Sequence, residues 1–168
     1  MPSHPLAVSL LTLATLAGAA GSDGRVPDPV AGQAVPRTGD PAKRGLTPAD
    51  FPRIQRLAPD VYSYEQLRSA GAETFTTVSL FVVTTAGVIV ADGQGSVAET
   101  QRMRDEIARL TPQPITHVVV CSDHGDHTAG NSAFPAGATV YAHPTSRDVM
   151  AESAARGRGA GAPAASVP

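Results

Sequence analysis

One segment limits what this chain can fold into: an apolar run that passes directly into a loop rich in metal-binding side chains. Residues 115–121 are almost entirely apolar and β-branched, and His124, Asp126 and His127 follow shortly after. A run of this length and composition is typical of a strand buried on both faces of a sheet. The sequence therefore predicts a sheet with a ligand-bearing loop at the carboxyl end of this strand.

The segments around this strand predict an α/β protein built in layers. Ser96 and Glu99 form a capping box, and apolar residues then recur at helical spacing as far as Leu110, which predicts an amphipathic helix. A second helix is predicted at 145–155 with Thr145 as its cap. Runs rich in Val, Thr, Phe and Tyr predict further strands at 61–64, 74–85, 87–92 and 139–142, with hairpins joining the first three.

The amino-terminal residues have the pattern of an export signal. Residues 5–20 carry no charge and end in the small residues Ala17-Gly18-Ala19, which is typical of a signal peptide cleaved near Ala19 or Ala20. The run is shorter than the about 20 residues that a bilayer span needs. We therefore expect a secreted or periplasmic protein without a stable membrane anchor; a retained hydrophobic helix and a misassigned start are the alternatives.

Two further segments lack apolar periodicity. Residues 21–57 and 156–168 are rich in proline, glycine and alanine, a composition that favours disorder. The predicted organisation is a signal peptide at 1–20, a leader at 21–57, a folded unit at 58–155 and a tail at 156–168. The tail has two explanations, a genuine flexible segment or a shifted reading frame in a GC-rich gene that truncates the domain.

Composition excludes some partners. A net charge of −2 gives no basic field for nucleic acid, and an aromatic content of 4% without tryptophan gives no platform for stacking sugars or bases. The expected partner is a small-molecule substrate. The single Cys121 cannot form an intramolecular disulfide, and we interpret it as a small buried strand residue rather than a reactive thiol.

The loop after the apolar strand is the candidate site. His124 and His127 offer imidazole nitrogens and Asp126 a carboxylate, which are ligands suited to zinc and other first-row divalent ions. Gly125 is expected to allow a tight turn between them, and Gly130 to free the chain as it leaves the loop. The alternative is an exposed polar turn whose histidines are incidental.

The stretch His124-Gly-Asp126-His127-Thr-Ala-Gly130-Asn resembles the His-x-Asp-His part of the metallo-β-lactamase-fold motif His-x-His-x-Asp-His. The order of elements over 58–150 is also similar to that superfamily. The resemblance implies the amino-terminal αβ half of an αββα sandwich. It also implies a hydrolase in which metal-activated water attacks an ester, thioester, lactone or lactam. Lactamases, thioesterases, lactonases, sulfatases and nucleases resemble one another at these positions.

The resemblance also implies roles for individual residues. The family holds one or two ions, here expected to be Zn²⁺, between two αβ halves; His124 would bind the first ion, and Asp126 with His127 the second. Asp126 would also orient the nucleophile as a catalytic residue. Ser122 stands at the position of the motif's first histidine and is a weak ligand. Asp92 is either a support for the loop backbone or an ordinary turn aspartate.

Two function classes remain open. The resemblance implies that the family's other ligands lie in its second half, which we do not expect in this chain. We expect His117 to be a sheet-face residue and His143 a turn residue. The chain is therefore either a truncated, impaired hydrolase or a non-catalytic product, namely a half-domain remnant or a small metal-binding or interaction module. An uncovered sheet face would require a complementing carboxyl-terminal half or an oligomer.

Overall fold

A mixed sheet organises the part of the chain that the structure describes. The computed structural model describes residues 38–156, so the predicted signal peptide, residues 21–37 of the predicted leader and residues 157–168 of the predicted tail lie outside it. The strands are β1 (Arg53–Ala58), β2 (Val61–Ala70), β3 (Glu73–Thr84), β4 (Gly87–Ala91), β5 (Ile115–Val120) and β6 (Thr139–Ala142), and the helices are α1 (Val97–Leu110), α2 (Gly125–Thr128) and α3 (Pro144–Ala155). Short 3-10 turns occupy Ala42–Arg44, Pro48–Asp50 and Asn131–Ala133. Within 38–156 no helix combines the length and apolar content that a membrane crossing requires.

The sheet changes from antiparallel to parallel at β4. Its six strands lie side by side in chain order, antiparallel from β1 to β4 and parallel from β4 to β6. Parallel neighbours need a crossover connection, which α1 provides between β4 and β5. The carboxyl ends of β4 and β5 therefore meet at one edge of the sheet, where the histidine loop begins. This α/β arrangement confirms the predicted fold class.

The hydrophobic core lies on one face of the sheet. Met103 and Ile107 of α1 and Met150 of α3 pack there, and all are buried. Full burial of such a side chain contributes roughly 1.5–3 kcal/mol. The sheet residues of this cluster are Tyr64, Phe81, Val88, Val90, Ile115, Val118, Val120 and Val140, with Phe134 from the loop before β6.

The opposite face of the sheet is open. Val78, Leu80, Ile89 and Val119 are 37–42% exposed there, although each lies in a strand. The prediction that 115–121 is buried on both faces is therefore wrong for the face that carries Val119. A continuous apolar strand signals burial but cannot show how many layers cover it. The helices α1 and α3 pack on the other side, whereas on this side Arg44 reaches Glu65, the strand partner of Val78. We call Val78, Leu80, Ile89 and Val119 the open face.

The sheet begins earlier than the sequence predicts. Residues 53–57, assigned to the leader, belong to β1, which pairs with β2. Arg44 donates to both carboxylate oxygens of the buried Glu65, and the Thr76 hydroxyl donates to Oε1 at 2.8 Å. Burial alone would raise the pKa of Glu65, but the bonds from Arg44 and Thr76 hold it below its usual value. A polar anchor of this kind leaves no apolar periodicity, so the leader prediction missed it.

The two long helices begin at different kinds of cap. Ser96 caps α1 as predicted, with its Oγ accepting from the Glu99 amide at 3.2 Å. The cap of α3 is His143, whose Nδ1 accepts from the Thr145 amide at 3.2 Å. The prediction of Thr145 as this cap is wrong because Pro144 already occupies the first helical position, where its missing N–H costs nothing.

Candidate metal centre

The loop after β5 is shaped by one short helix. His124 precedes α2, and its carbonyl accepts from the His127 amide at 3.0 Å and from the Thr128 hydroxyl at 2.9 Å. The turn places Asp126 and His127 next to each other, with His124 exposed at its start. The Ser122 hydroxyl accepts from the His124 amide at 3.3 Å, which makes Ser122 part of the turn that leads into α2.

Asp92 joins the end of β4 to this loop. Its side chain is buried and its backbone is left-handed, with φ 63°. Oδ1 accepts from the amides of Cys121 at 2.7 Å and Ser122 at 3.3 Å, while Oδ2 lies 3.1 Å from Nδ1 of His127. One carboxylate therefore holds both the backbone at the start of the loop and one of its imidazole rings.

The contact with Asp92 determines which nitrogen of His127 is free. An ionised carboxylate can only accept, so the ring places its hydrogen on Nδ1 and leaves the lone pair on Nε2. Nε2 lies 3.6 Å from Oδ2 of Asp126, and both side chains are partly exposed. Two ligands of a tetrahedral zinc ion lie about 3.4 Å apart. Asp126 and His127 are thus placed as a pair that fits one ion.

The pair does not make a complete site by itself. In the described range 38–156, no three His, Cys, Asp or Glu side chains come together to hold a metal. His124 therefore does not join the pair. His143 caps α3, and His117 stacks on Tyr141 with ring centroids 5.8 Å apart. The described residues fit zinc as two ligands of one ion and leave its other positions open.

Cys121 lies beside the site but not in a strand. β5 ends at Val120, and Cys121 is an exposed first residue of the loop. The prediction of a buried strand residue is wrong for this reason. Partial burial of the thiol and the nearby Asp92 charge raise its pKa, so the thiol stays protonated at neutral pH.

Sequence patterns gave no sign of a group that contacts Asp126. The Thr77 hydroxyl of β3 donates to Oδ2 of Asp126 at 3.0 Å. Thr77 is an ordinary strand residue in a run rich in Thr, and it is far from the loop in the chain. The β-propensity of this run was its only detectable signal.

A set of hydrogen-bonded buried polar residues connects the histidine loop to neighbouring elements. The Ser79 hydroxyl donates to the Gly93 carbonyl at 3.0 Å and accepts from Nε2 of Gln94 at 2.7 Å. The backbone N–H of Gln94 donates to the Thr100 hydroxyl at 3.0 Å, and the backbone carbonyl of Gln94 accepts from the Gly130 N–H at 2.9 Å. The segment after β4, the start of α1 and the end of the histidine loop are thereby connected.

The chain resembles known proteins in its structure and not in its overall sequence. No protein-family model matches the chain, and no curated protein matches it. Solved structures do match. A metallo-β-lactamase from Erythrobacter litoralis aligns with a TM-score of 0.58 and 22% identity over 68% of this chain and 48% of that one. A metallo-β-lactamase from Pontibacter korlensis aligns with a TM-score of 0.60 and 19% identity, over 68% and 51%.

This chain has the metallo-β-lactamase fold. It spans about half the length of the solved structures that it matches, which agrees with the half domain predicted from the sequence. A further metallo-β-lactamase fold match is an NDM_FIM-1-like enzyme from Erythrobacter litoralis in its mono-zinc form, with a TM-score of 0.51 and 23% identity over 56% of this chain and 45% of that one. The fold agrees with the resemblance of the motif that begins at His124.

Proposed function

We propose that this chain forms one metal-binding half of a secreted or periplasmic hydrolase site of the metallo-β-lactamase type. The substrate class is an ester, thioester, lactone or lactam, and the ion is zinc. The observation that carries the proposal is the connected set Asp92, His127 and Asp126 at the carboxyl ends of β4 and β5. The mono-zinc state of one structural neighbour supports zinc as the ion.

The residues of this set have separate tasks. Asp92 holds the hydrogen of His127 on Nδ1, so that Nε2 faces Asp126 with a free lone pair. Zinc bound there would supply a Lewis acid and a water molecule with its pKa lowered toward about 7. The Asp126 carboxylate, one edge of which is held by Thr77, is the group suited to orient that water.

We expect the full chain to bind zinc through Asp126 and His127. Replacing either ligand, as His127→Ala or Asp126→Asn, should weaken zinc binding by more than about 100-fold, because even loss of a residue that only supports a ligand costs 10–100-fold. Chelator competition with the purified chain measures the dissociation constant. Thioester, lactone and β-lactam reporters, measured in parallel, test turnover.

His117→Ala is the matched control for these variants. His117 is also a partly buried histidine at the described sheet, but it stacks on Tyr141 away from Asp126. It should leave the zinc dissociation constant unchanged. Equal affinities of the His117→Ala and His127→Ala chains would contradict the proposed site.

A second candidate function, a half domain that acts only with a partner, is favoured by the open face and the incomplete ligand pair. We propose that the partner is a complementing αβ layer whose sheet covers the open face. The structural neighbours support this occupant, since they are about twice as long as the stretch they share with this chain. Covering apolar sheet surface contributes about 25 cal/mol per Å².

The open face should make the isolated chain self-associate. Leu80→Lys with Val119→Lys places two charges on that face, and we expect the double variant to become monodisperse in light scattering. Val97→Lys with Val149→Lys is the control, because these exposed apolar residues of α1 and α3 are 45% and 44% exposed but lie outside the open face. A monodisperse wild-type monomer with a sharp thermal melt would contradict the partner proposal.

A further inference from the structure

We propose that Thr77 is a positioning residue that holds Asp126 in the orientation required to share an ion with His127. The inference rests on the proposed metal site and adds to it a residue on a different strand. Its basis is the hydrogen bond from the Thr77 hydroxyl to Oδ2 of Asp126.

The geometry makes Thr77 a rigid anchor. Thr77 is 2% exposed and lies within the long strand β3, where it pairs with Gln66 of β2. A threonine hydroxyl has a single hydrogen, and here the acceptor-only carboxylate of Asp126 takes it at 3.0 Å. A hydrogen bond to a charged group is roughly twice as strong as a neutral one.

Asp126 needs such an anchor because its own helix is short. α2 has four residues, too few to form a stable helix on its own. The Oδ2 atom that Thr77 contacts is the atom 3.6 Å from Nε2 of His127. Each member of the ligand pair is therefore held from the sheet, His127 by Asp92 after β4 and Asp126 by Thr77 of β3.

Three substitutions at Thr77 separate positioning from packing. Thr77→Val keeps the β-branched shape and removes the hydroxyl, and it should raise the zinc dissociation constant of the full chain about 10-fold. Thr77→Ser keeps the hydroxyl and should stay within about 2-fold of wild type. Thr77→Ala should match Thr77→Val, because both lack the donor. A loss confined to Thr77→Val would instead reveal a steric effect and overturn the proposal.

Thr76→Val is the matched control on the neighbouring position of the same strand. Its hydroxyl also donates to a carboxylate, that of Glu65, but on the other face of the sheet. We expect Thr76→Val to lower the thermal midpoint while leaving zinc affinity unchanged. An equal loss of zinc affinity in Thr76→Val and Thr77→Val would assign the effect to general destabilisation and overturn the proposal.

A metal-free measurement distinguishes failure of Thr77 from failure of the metal site. The amides of His127 and Ala129 donate to the carbonyls of His124 and Gly125 within the loop. In the zinc-free chain, Thr77→Val should speed the hydrogen exchange of these two amides. The exchange rate of the Thr111 amide, at the end of α1, should stay unchanged. If wild type binds no zinc, the metal site is refuted, and unchanged exchange in Thr77→Val refutes the positioning role as well.

Discussion

Replacing Asp92 by alanine should lower the free energy of unfolding by about 3 kcal/mol. The substitution removes the acceptor of the backbone amides of Cys121 and Ser122, and each of these partly buried hydrogen bonds contributes about 1 kcal/mol. It also places alanine at φ 63°, which costs about 1 kcal/mol more than aspartate in this left-handed region. Urea unfolding of the full chain, read from both midpoint and slope, measures the loss.

Two further variants separate these contributions. Asp60 has φ 60° but is exposed, so Asp60→Ala reports the backbone cost and should lose only about 1 kcal/mol. Asp92→Asn retains an acceptor oxygen and tolerates positive φ, and it should fall between wild type and Asp92→Ala. If Asp92→Ala were no less stable than Asp60→Ala, the carboxylate would not be the support of the loop.

Gly130→Ala should destabilise the chain by about 3 kcal/mol or more. A Cβ atom on Gly130 would lie 2.0 Å from the Thr100 hydroxyl oxygen and 2.3 Å from the Ser96 carbonyl oxygen. The Ser96 oxygen belongs to the backbone at the start of α1 and cannot move without disturbing that helix. The thermal midpoint and the urea midpoint of the full chain measure the effect.

Gly125→Ala is the control from the same loop. A Cβ at Gly125 would meet nothing within 4 Å, and the residue lies in α2, so the change should stabilise by at most about 1 kcal/mol. The predicted backbone roles of both glycines are therefore wrong. Gly130 has φ −94°, and its absent side chain is needed for close packing rather than for conformational freedom. Equal stability of the two variants would contradict this assignment.

The elements that sequence alone predicted well depend on short-range interactions. α1 begins at the Ser96 cap because that side chain and Glu99 satisfy each other three positions apart. The strand β6 occupies the predicted residues 139–142, and α1 ends at Leu110, where the apolar residues stop recurring at helical spacing. The strand β5 and its histidine loop were identified by composition and motif, and the solved structures confirm the fold that this motif implied.

The sequence by itself determined the strands from β2 onward, the two long helices, their order and the donor types in the loop, but not β1. The tertiary structure decided which donors meet: Asp92 reaches His127, Thr77 reaches Asp126, and Arg44 reaches Glu65. Each pair joins residues far apart in the chain through one or two hydrogen bonds, and such contacts leave no periodic trace in the sequence. An apolar strand has the same sequence pattern whether one or both of its faces are buried. Only the packing of the helices on the sheet shows that one face is open.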